Sequence, residues 1–387
     1  MKKAWIPVIL LIILILVGLY LFWNSKKANL LPLYFKYTIS EKNELINLQS
    51  KQRITNSSFR KWDDLMFDLI KENKIGDAPA SRIYAYVYVA QRDAAFLSYN
   101  VKHQFMGNLD MVSAEVLCVF FPNNCPEIKL QMKKDVYSTQ LAKLVLNKIK
   151  GRLDIDKQKT HPSTQLMGKG YWQGVKPYYG LEVGSWQTWI IASPNQFRPP
   201  KPFAPDHQSW LGQLKQTEAA LNHITPEQTK AVVSWSGNPS TITPPGMWLI
   251  FANDYMLTTQ LPLSKILFIR SILAMGIADA VISIFDAKYT YWIARPYMLN
   301  PNIHTIMPTP NHPSYPAAHS GISATAATIL SFYFPENKKD WWQKAHEASE
   351  SRIWGGIHFP IDAQEGLIFG TKVGNAIKTA HPQWNFE

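Results

Sequence analysis

The stretch SRIWGGIHFPID, Ser351 to Asp362, sets one cation, one imidazole and one carboxylate around a double glycine. The preceding WWQKAHEASESR has a helical pattern that Gly355 and Gly356 stop, and Pro360 suits the first turn of a new helix. His358 is therefore predicted at a helix N-terminus, with Asp362 one turn on and able to reach back to the ring. A carboxylate on one imidazole nitrogen fixes the tautomer and leaves the other nitrogen to attack or coordinate. Arg352 adds a planar fork suited to a tetrahedral oxyanion, and the two glycines let backbone pass close to such a ligand. The segment reads as a device that holds a tetrahedral oxyanion against a histidine.

Two upstream segments carry matching chemistry. In KYTYWIARP, Lys288 and Arg295 are seven apart, so a helix puts both on one face before Pro296 ends it. Two cations on an apolar helix repel unless an anion lies between them, although such pairs more often face solvent. In HPSYPAAHSGISATAATIL, His319 follows a Pro-containing turn at the start of a small-residue helix. Exposed N–H groups and the helix dipole there favour an anion, whereas a lone histidine is more often a cap or core residue. His304 and His312 read as loop or surface residues.

Helical periodicity dominates the remainder, as in SSFRKWDDLMFDLIKENK and SKILFIRSILAMGIADAVISIFDAKYTYWIA, and strand-like alternation is almost absent. Residues 31–387 are predicted to form a single all-α body. Its first bundle covers about 57–150, a Pro, Gly and aromatic-rich connection about 157–210, and a second bundle with the site about 211–380. A faint internal echo pairs DAAFLSYNVK (93–102) with DAVISIFDAK (279–288), and VLCVFFP (116–122) with ILSFYFP (329–335), as two related bundles would. Lys plus Arg number 40 against 28 Asp plus Glu, a net charge of +12 that suits anionic partners. The basic residues are scattered, without a sustained run or zinc-finger spacing, which argues against nucleic acid.

After Lys2 and Lys3, the uncharged run Ala4–Trp23 is long enough to span a bilayer, and Lys26 and Lys27 follow it. No convincing cleavage site follows, so residues 1–30 read as a signal anchor and juxtamembrane segment, with secretion after cleavage as the alternative. Nothing later repeats such a run, and the body reads as soluble, on the extracytoplasmic side. Cys118 and Cys125, in CVFFPNNC, flank a turn; a disulfide in an oxidising compartment and two buried thiols are both open readings.

Lys288, Arg295 and Pro296, then a Pro-rich turn with His319, then Ser351, Arg352, His358 and Asp362, in this order, resemble the superfamily that joins type 2 phosphatidic acid phosphatases and vanadium-dependent haloperoxidases. The first and last motifs are matched in full. The middle one departs: the family has Pro-Ser-Gly-His, and here it is Pro316-Ala317-Ala318-His319, which removes a serine hydroxyl and leaves the Ala318 backbone N–H. Longer segments, including ASRIYAYVYVAQRDAAFLSYNVK, look like the bacterial haloperoxidase-related branch. The resemblance implies two packed helical bundles behind the N-terminal membrane anchor, with the anion pocket in the second bundle.

For function it implies vanadate on His358, neutralised by Lys288, Arg295 and Arg352 and the Ala318 N–H, with His319 as acid–base and with halide and hydrogen peroxide as substrates. Phosphate competes for the same pocket. The alternative is a phosphatase in which His358 is the nucleophile and His319 protonates the leaving group. A third reading is a membrane-tethered oxyanion-binding protein without turnover, which the acid–base pair argues against. No nucleic-acid partner is expected.

Overall fold

The computed structural model describes residues 32–56, 58–99, 104–157, 163–204 and 207–381. The expected anchor and juxtamembrane segment, 1–30, lie outside the described residues. Among these the chain is helical without a strand. Its principal helices are α1 (Arg60–Glu72), α2 (Asp77–Leu97), α3 (Asp110–Phe120), α4 (Val136–Lys157), α5 (Ser209–Asn222), α6 (Pro226–Ser234), α7 (Thr243–Thr258), α8 (Leu263–Tyr291), α9 (Ala318–Tyr333), α10 (Lys338–Trp354) and α11 (Pro360–Ala380).

α8 is long and apolar enough to cross a membrane, although Arg270, Asp279 and Asp286 within it mean that it does not repeat the uncharged N-terminal run. Its apolar character reflects burial, since its side chains from Ile266 to Tyr289 lie inside the protein and need no polar face. It packs against α2 and α9 in one continuous apolar core that runs from Ile54 to Ile377. Charged residues within this core are each engaged. Arg270 of α8 meets Asp63 of α1 at 2.6 Å and lies over the Phe59 and Tyr88 rings.

α2 and α8 run antiparallel. Arg92, late in α2, donates to Ser271, early in α8, at 3.0 Å. At the opposite end, Tyr179 links Asp77 (2.8 Å) to Tyr289 (2.6 Å). α4 is antiparallel to α2 as well, with Asp156 on Arg82 at 2.8 Å and with Tyr137 and Leu141 clustered near Leu97. The bundle therefore has one end marked by Asp77 and Tyr289 and another marked by Leu97 and Val136.

The echoing segments behave alike. Asp93 accepts the backbone N–H groups of Tyr34 (2.7 Å) and Phe35 (2.9 Å), and Asp279 accepts those of Trp189, Ile190 and Ile191 at 2.6–3.0 Å. Burial pushes both carboxyls up to about 6. At the second echo, Phe121 (φ −125°, ψ 65°) and Phe334 (φ −135°, ψ 68°) each break a helix, and each precedes a 3-10 turn that opens with proline. Cys118 and Cys125 are joined as a disulfide, with an S–S distance of 2.14 Å.

The contact that positions the site is the one between α9 and α11. Gly366, Gly370 and Gly374 recur every fourth residue and put a bare stripe on one face of α11. A Cβ at Gly370 would lie 2.2 Å from the Gly321 carbonyl oxygen, and one at Gly366 would lie 2.8 Å from that of Ala317. The close approach sets the two helix N-termini side by side, and Ala317 N–H donates to the Asp362 carbonyl at 3.0 Å.

Candidate active site

α11 begins at Pro360 with Phe359 as its N-cap, so His358 precedes the helix and Asp362 lies in its first turn. His358 Nδ1 lies 2.9 Å from Asp362 Oδ2. The same oxygen accepts from the Ser314 hydroxyl at 2.5 Å and from the Phe359 N–H at 3.1 Å. Three donors on one carboxylate oxygen fix its position and, through it, the ring. A carboxylate can only accept, so in the neutral ring Nδ1 carries the proton and Nε2 keeps its lone pair. Arg295 Nη1 lies 3.4 Å from Nε2.

Lys288 and Arg295 do not share a helical face as expected. α8 ends at Tyr291, where Trp292 turns left-handed (φ 53°) and donates its N–H to the Lys288 carbonyl at 2.9 Å. Arg295, which precedes a proline, is extended, and Pro296 opens the short helix Pro296–Leu299 instead of closing α8. The two cations converge by another route, onto the loop before α9. Lys288 Nζ donates to the carbonyls of Pro313 (2.8 Å) and Ser314 (2.6 Å), and Arg295 Nε donates to that of His312 (3.1 Å). His312, expected in a loop or at the surface, lies in a loop but is only 5% exposed, because its ring packs against Phe285 and lies 3.3 Å from Arg295 Nη2. His304 is exposed, as expected.

Arg352 and His319 form the other flank. Arg352 Nη2 donates to the Val232 carbonyl at 3.0 Å, and His319 Nε2 donates to that of Trp235 at 2.8 Å, so both lean on the segment that ends α6. In neutral His319 the lone pair is then on Nδ1. Ile357 bridges the flanks: its N–H donates to the Arg352 carbonyl (3.2 Å) and its carbonyl accepts from Arg295 Nη1 (2.7 Å). Gly356 (φ +76°) makes this turn, and a Cβ there would lie 2.9 Å from Leu221. The double glycine thus has a conformational reason within the fold. Ala318 opens α9, so its N–H belongs to the first turn, whose donors lack intrahelical partners.

Lys288, Arg295, Arg352 and Asp362 are all fully buried. Desolvation lowers Arg352 to about 9 and Arg295 to about 10, and desolvation with the Arg295 charge holds Lys288 well below its usual range. Burial also lowers His312, His319 and His358, with nearby Arg295 and Lys288 adding to the effect. It raises Asp362 to about 6. Three buried cations around one carboxylate leave an excess of positive charge, which a tetrahedral dianion would offset. Sequence reasoning missed Ser314 and His312. Both are in PNHPSYPAAH, and the available signal was a polar residue at each side of a proline in a loop bounded by two cationic motifs.

Residues 268–386 match the family model of the PAP2 superfamily. The chain superposes on the crystal structure of the first bacterial vanadium-dependent iodoperoxidase with a TM-score of 0.67 and 19% identity, covering 86% of this chain and 98% of that one. A holo-type bacterial vanadium-dependent chloroperoxidase gives a TM-score of 0.63 and 13% identity, over 79% of this chain and 92% of that one. Among curated proteins, the bacitracin transport permease protein BcrC of Bacillus licheniformis is 20% identical over 112 residues, 29% of this chain; the match spans about half, 54%, of that relative. Residues 268–386, which hold every candidate oxyanion-site residue, are the part of the chain that is similar to the PAP2 superfamily.

Proposed function

We propose that the chain is a vanadate-dependent haloperoxidase-like enzyme. The observation that carries this reading is His358, whose Nδ1 is committed to Asp362 while Nε2 faces a buried cation excess. The residues present suit vanadate: Nε2 offers the lone pair, Lys288, Arg295 and Arg352 offset the charge, and the Ala318 N–H adds a donor. Bound vanadate supplies activation of hydrogen peroxide toward a halide. The overall reaction oxidises halide and reduces peroxide, X⁻ + H₂O₂ + H⁺ → HOX + H₂O. His319 Nδ1 takes and returns the proton. The likeness to two bacterial vanadium haloperoxidase folds over most of the chain supports this choice.

A second reading has one observation in its favour: a histidine with Nδ1 fixed by a carboxylate and the lone pair left on Nε2, 3.4 Å from Arg295 Nη1, is also a nucleophile. Nε2 would attack phosphorus as the ester P–O bond breaks, and His319 would protonate the leaving oxygen. Water would then cleave the P–N bond and return a proton to His319. In either reading the run Ala4–Trp23 tethers the chain and the body lies on the extracytoplasmic side, where the Cys118–Cys125 disulfide is at home.

The test assays one preparation for halide oxidation with vanadate and peroxide, and for phosphomonoester hydrolysis without vanadate. Halide oxidation that is lost in His358→Ala supports the first reading. Hydrolysis alone selects the second. Neither activity, with anion binding intact, selects a protein that binds without turnover.

A further inference from the structure

Five aliphatic side chains among the described residues are at least 70% exposed: Ile39, Ile46, Leu130, Val136 and Val175. Isolated exposed aliphatics are ordinary, but four of these five fall on neighbouring segments. Leu45 buries with Tyr137 and Leu141 in one small cluster, which leaves Ile46 and Val136 outside on its rim. Glu41 pairs with Lys148 at 2.6 Å and Glu44 bonds Gln140, so the helix Ile39–Asn43 lies along α4. Asn108 ties Gln52 (2.7 Å) to the Lys133 carbonyl (3.2 Å), and Lys61 reaches the Gln131 carbonyl (3.0 Å), which bring the turn after Leu130 to the same end.

The charge among these side chains is basic. Lys51, Arg53, Lys133 and Lys134 are exposed here. Three of the nearby acids are engaged, Asp110 with Lys61, Asp135 with the Ser138 N–H and hydroxyl, and Glu44 with Gln140, while Glu127 is exposed one turn before Leu130. The described chain also enters here, because the Pro32 carbonyl accepts from Arg92, in the last turns of α2. Eight residues separate Pro32 from Trp23, the end of the uncharged run.

This end is the one marked by Leu97 and Val136, opposite the end where Asp77 acts electrostatically on Lys288. α2 has 21 residues between them, about 30 Å at 1.5 Å per residue. We propose that the end bearing Ile46, Leu130 and Val136, with Ile39 on its flank, rests on an anionic phospholipid surface. Exposed aliphatics enter the headgroup boundary while lysines meet lipid phosphates. The cation site then stands about 30 Å from the bilayer, in water. Resting on the activity proposed above, this makes the substrates water-soluble anions, with bilayer lipids out of reach.

The test uses the full chain in phosphatidylglycerol–phosphatidylcholine nanodiscs, with a nitroxide on Ile46→Cys, Val136→Cys or Val175→Cys. Val175 is as exposed as the others but lies at the site end, where its N–H donates to Asn311 at 3.3 Å. The ratio of oxygen to nickel-chelate accessibility is expected to be several-fold higher at 46 and 136 than at 175. Lys133→Glu with Lys134→Glu should lower it at 46 and 136, as should nanodiscs of phosphatidylcholine alone. Equal, water-like ratios at all three positions overturn the docking face. Equal immersion in both lipid compositions overturns the role given to charge. The readout does not depend on activity, so failure of the enzymatic reading leaves it intact.

Discussion

The Ser314 hydroxyl donates to Asp362 Oδ2 at 2.5 Å and lies 3.2 Å from His358 Nδ1, so a loop serine closes the link between carboxylate and imidazole. Its backbone carbonyl is held by Lys288 at 2.6 Å. Ser314 therefore joins the cation, the carboxylate and the histidine. Its hydroxyl bond lowers the Asp362 pKa, against a larger upward effect of burial.

Ser314→Ala is expected to shift the acid limb of the pH–rate profile to higher pH, because Asp362 loses a donor that favours its charged form. The bond, one to a charged acceptor, is worth roughly 1.5–3 kcal/mol. Turnover should fall about tenfold or more, and Ser314→Thr should restore part of it. An unmoved acid limb would show that the hydroxyl only packs.

Anion binding should take up protons. In the free protein, desolvation and mutual repulsion depress Lys288 and the three buried histidines, and burial raises Asp362. A bound dianion raises all of them, which is uptake in every case, so affinity falls as pH rises. Sulfate, which does not titrate near neutrality, isolates the protein's contribution. Calorimetry in buffers of different ionisation enthalpy should report net uptake; net release would reverse the sign of the electrostatics described here.

Gly370→Val should destabilise the body by about 3 kcal/mol or more, since its Cβ would overlap the Gly321 carbonyl and force α11 from α9. Denaturant unfolding measures it. Anion affinity should weaken too, because the same contact aligns His319 with His358. A stable variant with normal affinity would mean that the stripe does not position the site.

Replacing Cys118 and Cys125 together by serine should cost about 2 kcal/mol of stability, the order expected for so short a loop. Non-reducing mass spectrometry of exported protein should find no free thiols. Alkylation of both cysteines in the folded protein would contradict the pairing.

What could be read in the sequence was local. His358 and Asp362 are one helical turn apart, and that spacing survives folding. The reach from Lys288 to Arg295 was misjudged because α8 ends at Tyr291, with Trp292 left-handed, instead of running on to Arg295 before Pro296, and that conformational break is invisible to periodicity. Ser314 and His312 join the site only through long-range contacts to α8 and α11. Carbonyls of Val232 and Trp235, which orient Arg352 and His319, have no side-chain signature at all. The glycines at 366, 370 and 374 went unread, because their spacing gains meaning only against α9, a partner that the fold supplies.

In the proposed function, His358 is the point where the oxyanion is held. Vanadate affinity of the wild type and of His358→Ala, measured by calorimetry at one pH, tests this directly. The expected result is tight binding by the wild type and a loss of at least a hundredfold, about 2.7 kcal/mol, in the variant. Equal affinity in the two proteins would place the anion elsewhere and contradict the site.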